Sequence, residues 1–369
     1  MPSSPQPTAT PPSGLLSANP PGAAPIVLDS HALIPPTLLQ NHAPQDFHIY
    51  NPTLARVGAR LLMAYRMDWG RYPHLQRQIG ICELDTNLRI RPESVQHFSQ
   101  SICAGGERHY DPRFFQLGAR LFLHYNNSYV TRPNQLHMVE VDTDTLRAKA
   151  PARPIVMDAP RQEIEKNWMF FEQAGAAWAV YRIQPHTILR VDLQGTGPIV
   201  CEVESTTTWD AGEYAARFGP LCGGASPVRH NDTYLAVFHS PRQLRPLHRW
   251  ARNWPYAWAD GLPRYPKAIL RRLYPLLMDK RRYYGGIYAF DAQPPFRPRW
   301  ISPQPILWPE TAAPQRQPPV NRLAERVVYP CGALPWDDRR ILIAYGVHDE
   351  RCALHILDLG TVPKVSVEG

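Results

Sequence analysis

The chain has 369 residues, of which 41 are proline, and a net charge of +8. No run approaches the roughly 18 consecutive apolar residues that a membrane-spanning helix needs, which argues against an integral membrane protein. The first positive charge is Arg56, so no secretory signal peptide is expected. The six cysteines form no Cys-x-x-Cys pair, which argues against structural zinc and favours a reducing, cytoplasmic location.

The N-terminal segment differs from the rest in composition. Eight of residues 1–25 are proline, and most of the others are Ser, Thr, Ala or Gly. Such a segment buries too little apolar surface to offset the entropy lost on ordering. We therefore predict a disordered, Pro-rich tail over residues 1–44 and a folded domain over residues 45–364.

A repeat organises the folded part. Residues 51–65 and 111–125 align without a gap at an offset of 60, and each reads as a strand, a turn with Gly, and a second strand ending in Tyr. Looser copies of this hairpin pattern occupy residues 166–181, 223–238 and 331–345.

A second pattern follows each hairpin, an alternating strand that ends in Asp. It occupies residues 81–85, 138–142, 189–192, 287–291 and 354–358. Units of this size cannot bury a core alone, and radial packing is the usual solution. The sequence therefore predicts an all-β fold, a five-bladed β-propeller.

One interval between repeats is too long because of residues 242–285, a basic and aromatic insertion in the predicted fourth blade. It holds eleven Lys or Arg against two Asp, and its second half has helical character interrupted at Pro275. This composition suits binding to an anionic membrane surface that carries a lipid-linked glycan. It also suits binding to an acidic glycan or to a nucleotide diphosphate. A solvated cap is the alternative, and nucleic acid is not expected as a partner.

The entry loops of the innermost strands of a propeller meet at one end of its central funnel. If the hairpins are equivalent, Asn51, Asp111, Lys166 with Asn167, residues 223–226 and Cys331 converge there. Asp111 is a carboxylate where the first repeat has an amide, as expected of a catalytic acid among hydrogen-bonding neighbours. The alternative is that Asn-Pro and Asp-Pro are only strand-entry turns.

Five short motifs, in this order and spacing, resemble those of glycoside hydrolase family 130, which holds β-mannoside phosphorylases and hydrolases, and of the similar β-1,2-mannosyltransferases. They are Asn51-Pro52, Asp111-Pro112-Arg113, Glu165-Lys166-Asn167-Trp168, Tyr181-Arg182-Ile183-Gln184-Pro185-His186 and Gly223-Gly224-Ala225-Ser226-Pro227. The resemblance spans roughly residues 46–360 without the insertion. It implies inverting chemistry with Asp111 as the general acid.

The resemblance also implies an anion site, because Lys166 and Arg182 match basic positions of the phosphorylases and Arg113 is close to the acid in sequence. The second repeat, however, has Asn126 where we expect an arginine in a phosphorylase. This departure slightly favours a transferase with a sugar phosphate or nucleotide sugar as donor over a hydrolase.

An inverting hydrolase usually needs a second carboxylate. Glu165 and Asp349 are the candidates, although Glu165 beside Lys166 also reads as an ion pair. His186 and His239 follow second strands and either hold sugar hydroxyls or are structural. The predicted substrate-binding residues are Asn51, Arg113, Asn126, Lys166, Asn167, Arg182, His186, Ser226, His239 and Asp349.

No metal or other cofactor is expected, because Asp142-Thr143-Asp144 aligns with Asp85-Thr86-Asn87 as a repeated turn and not as a metal motif. The predicted function is an inverting carbohydrate-active enzyme that forms or cleaves a β-mannoside-like bond, preferably by glycosyl transfer or phosphorolysis. Two alternatives stay open, an inverting glycoside hydrolase and a non-catalytic glycan-binding propeller.

Overall fold

The computed structural model describes residues 24–70, 75–103, 108–127, 135–159, 165–243, 281–314 and 324–367, without the side chain of Glu325. The strands are β1 (Ile26–Val27), β2 (His48–Val57), β3 (Arg60–Trp69), β4 (Gln76–Leu84), β5 (Tyr110–Leu117), β6 (Arg120–Asn127), β7 (Gln135–Asp142), β8 (Arg147–Ala148), β9 (Arg153–Met157), β10 (Met169–Gln173), β11 (Ala176–Arg182), β12 (His186–Asp192), β13 (Ile199–Thr207), β14 (Cys222–Gly223), β15 (Val228–His230), β16 (Thr233–Gln243), β17 (Arg281–Asp291), β18 (Pro298–Ile301), β19 (Ala324–Pro335), β20 (Arg340–Val347), β21 (Arg351–Asp358) and β22 (Val365–Ser366). The helices are α1 (Pro36–Leu39), α2 (Gly212–Phe218) and α3 (Pro309–Ala312), with 3-10 turns at His31–Leu33, Pro44–Asp46, Pro92–Ser94, Phe98–Ser101 and Leu359–Thr361.

The predicted hairpins are antiparallel strand pairs: β2–β3, β5–β6, β10–β11, β15–β16 and β19–β20. Each second strand pairs in turn with the strand predicted to end at an aspartate, namely β4, β7, β12, β17 and β21. The all-β prediction is therefore confirmed, and the chain runs through five consecutive antiparallel groups of strands, called groups one to five below.

The apolar cores lie between successive groups, as expected for sheets that pack face to face around an axis. Leu62 and Leu123 belong to a cluster between groups one and two, and Phe115 and Phe170 to one between groups two and three. Similar clusters join groups three and four, four and five, and five and one. Strand β2 contacts both β5 and β19, so the last group meets the first and the fold has a propeller-like arrangement.

Gly332 shows how closely groups five and one approach. A Cβ atom at this position would lie 2.6 Å from the backbone nitrogen of Leu54. Only glycine allows β19 to pack directly against the backbone of β2, and this contact brings the innermost strands together at the centre.

The N-terminal segment corrects the predicted domain boundary. Strand β1 pairs with β21, the outer strand of group five, and Leu33 and Ile34 are buried in the core between groups five and one. The hydroxyl of Tyr65 donates to the carbonyl of Leu33 at 2.6 Å. The prediction of a disordered tail up to residue 44 is wrong for residues 24–44, because their apolar side chains fill the junction that closes the ring. Residues 1–23 lie outside the described residues.

The insertion is shorter than predicted. Strands β16 and β17 pair without interruption from Thr233↔Asp291 to Gln243↔Arg281, so residues 242–243 and 281–285 belong to a long hairpin. Residues 244–280 lie outside the described residues, and with them the predicted helical character and the predicted membrane or lipid-linked partner. Within the described part of the chain, no helix has the length and apolar character needed to cross a membrane.

Candidate active site

Asn51, Asp111 and Asn167 share an unusual backbone conformation at the start of the first three groups. Their φ angles are 54°, 54° and 65°, a left-handed region that Asn and Asp tolerate better than other side chains. In β2 and β5 the hairpin register shifts just after Tyr50 and just after Tyr110. This repeated bulge brings the Asn51 and Asp111 side chains together, and Asn51 Nδ2 donates to Asp111 Oδ1 at 2.8 Å.

The Asp111 carboxylate is buried and held by donors. Besides Asn51, Arg66 donates from Nη1 to Asp111 Oδ1 at 2.9 Å. Burial raises the pKa of Asp111, but the charge of Arg66, the bond from Asn51 and the charge of Arg113 together hold it below its ordinary value. Asp111 is therefore ionised at neutral pH in the free protein.

Arg113, Asn167 and Tyr329 form a second part of the site. Asn167 Oδ1 accepts from the Tyr329 hydroxyl at 2.6 Å and from Arg113 Nη2 at 3.1 Å. The Arg113 side chain is completely buried. The guanidinium supports Asn167 and Tyr329, and its predicted role as a substrate contact stays a prediction.

His239 lies next to this part of the site. Its ring centroid is 4.3 Å from that of Tyr329, and its other face is stacked on Tyr283. Burial and the charges of Arg113 and Lys166 lower the pKa of His239 well below its ordinary value, so the imidazole is neutral. Lys166 is exposed, and its charge and that of Asp111 both act on His239, which brings the two residues to the same region.

Asp349 belongs to the edge of the same region. It is half-buried. Burial is the main cause of the raised pKa of both Tyr50 and Tyr283, and the charge of Asp349 adds to it in both cases. The charge of Asp349 thus reaches Tyr50 of group one and Tyr283 of group four.

The other carboxylate candidate, Glu165, is held by two aromatic side chains of its own group. Its oxygens accept from the Trp168 indole at 3.2 Å and from the Tyr181 hydroxyl at 3.1 Å. Arg182 is exposed, and its guanidinium lies 5.2 Å from the centroid of the Tyr181 ring. Glu165 therefore contacts the Tyr181 hydroxyl, and Arg182 contacts the Tyr181 ring.

Three further predicted substrate-binding residues make contacts within the protein. His186 is fully buried 3.2 Å from the Tyr288 hydroxyl, and burial lowers its pKa to about 3. Ser226 donates to the Phe114 carbonyl at 2.7 Å, which ties group four to group two. Asn126 is also fully buried, opposite Tyr110 in the β5–β6 ladder. The roles predicted for these three residues in substrate binding stay predictions, and the structure shows only the contacts that hold each side chain within the protein.

Sequence reasoning missed Arg66 and Asp68. Arg66 aligns with Asn126 at the offset of 60 that relates the first two repeats. The arginine expected in the second repeat is therefore present at the same position of the first repeat. Comparing the two repeats position by position could have found it.

Comparisons with known proteins place the fold. No family model matches the sequence, and no curated protein matches it. One similar solved structure comes from family 130 of mannoside phosphorylases, which contains glycoside hydrolases that target β-1,2-mannosidic linkages in Candida mannan. Its TM-score is 0.57 at 10% identity, and the match covers 96% of this chain and 95% of that chain. A β-1,2-mannobiose phosphorylase from Listeria innocua has a TM-score of 0.52 at 15% identity, covering 91% of this chain and 97% of that chain.

A GDP-Man-dependent mannosyltransferase from Leishmania mexicana is similar as well, with a TM-score of 0.53 at 10% identity, covering 86% of this chain and 87% of that chain. These structures confirm the resemblance to family 130 and the related mannosyltransferases at the level of the fold.

Proposed function

We propose that this protein is an inverting carbohydrate-active enzyme that forms or cleaves a β-mannoside-like bond, by glycosyl transfer or phosphorolysis in preference to hydrolysis. The observation that carries the proposal is the buried Asp111 carboxylate, held by Asn51 and Arg66 where the first two repeats meet. The similar solved structures, which include a mannoside phosphorylase and a mannosyltransferase, support the substrate class.

The ionisation of Asp111 favours the direction of bond formation. An ionised carboxylate can accept the proton of an acceptor hydroxyl while that oxygen attacks the sugar donor. In the cleaving direction the same carboxyl group must first take up a proton and then give it to the departing glycosidic oxygen. Asp111 thus acts as a general base in bond formation and as the predicted general acid in bond cleavage. The charge of Arg66 opposes the protonation of Asp111 that cleavage requires.

The rim of the site favours an anionic donor. Burial raises the pKa of the Cys222 thiol, and the charges of both Lys166 and Arg281 oppose this rise, so the two cations lie near the same sulfur atom. Among the described residues, no carboxylate forms an ion pair with either one. Two cations without a carboxylate partner in the described part of the chain suit the phosphate of a sugar phosphate or nucleotide sugar.

We also infer that the ring has five blades. Five antiparallel groups and the apolar clusters between successive groups support this count, and short parallel pairings connect group two to three and group four to five.

The test uses Asp111→Asn, which keeps the size of the side chain and removes its charge. Wild-type and variant protein are incubated with GDP-mannose, with mannose 1-phosphate, and with manno-oligosaccharides plus phosphate, and the glycan products are analysed. Turnover should fall by about 100-fold or more, since general acid–base groups typically contribute that much. Sugar binding, measured by calorimetry, should persist.

Asp338→Asn is the matched control, because Asp338 is exposed in the turn between β19 and β20. It should retain full turnover. Equal turnover of wild type and Asp111→Asn would contradict the proposed chemistry. Glycan binding without any turnover in the wild type would favour a glycan-binding propeller instead.

A further inference from the structure

Four charged side chains of alternating sign form a row from β4 through β3 to β5. Arg77 Nε lies 3.5 Å from Asp68 Oδ2, and Asp68 is the cross-strand partner of Arg77. Arg66 donates to both oxygens of Asp68, from Nε and from Nη2, at 2.7 Å each. Its remaining terminal nitrogen, Nη1, donates to Asp111 at 2.9 Å.

Two tyrosines fix this row in place. The Tyr50 hydroxyl donates to Asp68 Oδ2 at 3.0 Å, and its ring centroid is 4.7 Å from the Arg66 guanidinium carbon. The Tyr110 ring lies 5.2 Å from that carbon and 5.5 Å from the guanidinium carbon of Arg77. Both guanidinium groups therefore contact aromatic faces in a region with little water, where charges interact strongly.

Arg66 divides its donors unequally between two carboxylates. The bidentate contact with Asp68 orients the planar guanidinium, and this orientation leaves one terminal nitrogen to donate to Asp111. We propose that Asp68 and Arg77 are positioning residues that set the protonation state of Asp111 through Arg66. This inference rests on the proposed function only in taking Asp111 as the group that exchanges the proton.

The groups that face Asp111 come from several strands. Asn51 and Tyr50 lie on β2, Arg66 on β3 and Arg113 on β5 itself. His239 of β16 is neutral, and Tyr329 and Cys331 of β19 are buried with raised pKa values, so they too are uncharged. Lys166 and Asp349 lie in the same region, since the former acts on His239 and the latter on Tyr50. Arg66 and Arg113 are the charges that hold Asp111 ionised, and Asp68 and Arg77 act one and two steps further along the row.

The two positioning residues must have opposite effects. Asp68→Asn removes a negative charge but keeps an oxygen that accepts from Arg66, so the guanidinium stays oriented towards Asp111 and the pKa of Asp111 should fall further. Arg77→Gln removes a positive charge and leaves Asp68 paired with Arg66 alone. Asp68 then attracts Arg66 more strongly, so the pKa of Asp111 should rise. A change of about tenfold in the protonation constant is the size expected for one charge at this range.

The experiment is a carbon-13 NMR titration of the aspartate side-chain carboxyls, with the Asp111 signal assigned by its loss in Asp111→Asn. Wild type, Asp68→Asn and Arg77→Gln are compared. Arg56→Gln is the matched control, since Arg56 is exposed near the other end of β2 and its loss should leave the titration unchanged. The acidic limb of the pH profile of kcat/KM should move in the same order.

Shifts of opposite sign support the inference. Shifts of the same sign, or none in either variant, overturn it. If Asp68→Asn fails to fold, the direction of the shift in Arg77→Gln, whose side chain is partly exposed, decides alone. The titration needs no substrate, so it stands or fails independently of the turnover measured for the proposed function.

Discussion

Asn167 combines a backbone and a side-chain role that two substitutions can separate. Asn167→Gly removes the acceptor for Tyr329 and Arg113 and should cost about 2–3 kcal/mol, since a charged donor is left unpaired. Asn167→Ala should be a further 0.5–1 kcal/mol or so less stable. Alanine is strained at a φ of 65°, and the larger unfolded-state entropy of glycine offsets part of that difference. Urea denaturation measures both values.

Asn231 supplies the control for this pair, because it has a φ of 54° and an exposed side chain in the turn before β16. Asn231→Gly should be nearly neutral, and Asn231→Ala should show the same alanine penalty as at residue 167. A loss in Asn231→Gly as large as in Asn167→Gly would show that the hydrogen bonds of Asn167 contribute little.

The site residues that the sequence revealed are those that occupy equivalent positions in successive repeats. Asn51 and Asp111 occupy equivalent positions, so their meeting follows from the alignment alone. Arg66 and Asp68 belong to one repeat only, and their contact with Asp111 depends on how group one packs against group two. The sequence did not reveal that His186 is fully buried or that Ser226 bonds to the Phe114 carbonyl, because both contacts depend on how neighbouring groups pack.

At the scale of elements, the segment from β1 to α1 tests the corrected domain boundary. Leu33 is fully buried between groups five and one, whereas Leu39 is 41% exposed in α1. Leu33→Ala should reduce the free energy of unfolding by about 2–5 kcal/mol, because it leaves a cavity in a packed core. Thermal or urea unfolding measures the loss.

Leu39→Ala is the matched control and should change stability by less than about 0.5 kcal/mol. If the segment had no fixed place on the protein, as its composition suggested, both variants would match the wild type. The sequence pointed to disorder because the tail is rich in proline and small residues, and its few apolar residues gain their partners only from strands far away in sequence.

At the scale of the whole molecule, the five strand groups were predictable because each one repeats the same hairpin and the same aspartate-ended strand. Closure of the ring was not, because β1 pairs with β21 and no sequence periodicity links these two ends of the chain. The end of the insertion was also misplaced, since the pairing of Gln243 with Arg281 continues through residues whose charge and aromatic content resemble the insertion itself.

The whole molecule should lose stability in mild acid, because burial lowers the pKa of histidines spread over several groups. The pKa falls to about 4 for His97 and about 3 for His186, and it is also lowered for His124, His137, His239 and His348. Below about pH 6.5 the unfolded chain takes up protons that the folded chain does not. Each such histidine therefore contributes its full stabilisation above that pH and loses up to about 1.4 kcal/mol per pH unit as the pH falls towards its folded value.

Urea unfolding at pH 7.5, 6.0 and 5.0 measures this dependence. His186→Gln should reduce the pH dependence of the free energy of unfolding by up to the equivalent of one proton. Asp111 adds to the loss from about pH 5 downwards, where the unfolded carboxylate begins to bind its proton and the folded one does not. A free energy of unfolding that stays constant from pH 7.5 to pH 5.0 would mean that the buried imidazoles are protonated in the folded protein as easily as in the unfolded chain, and the packing around them would have to be looser than the structure shows.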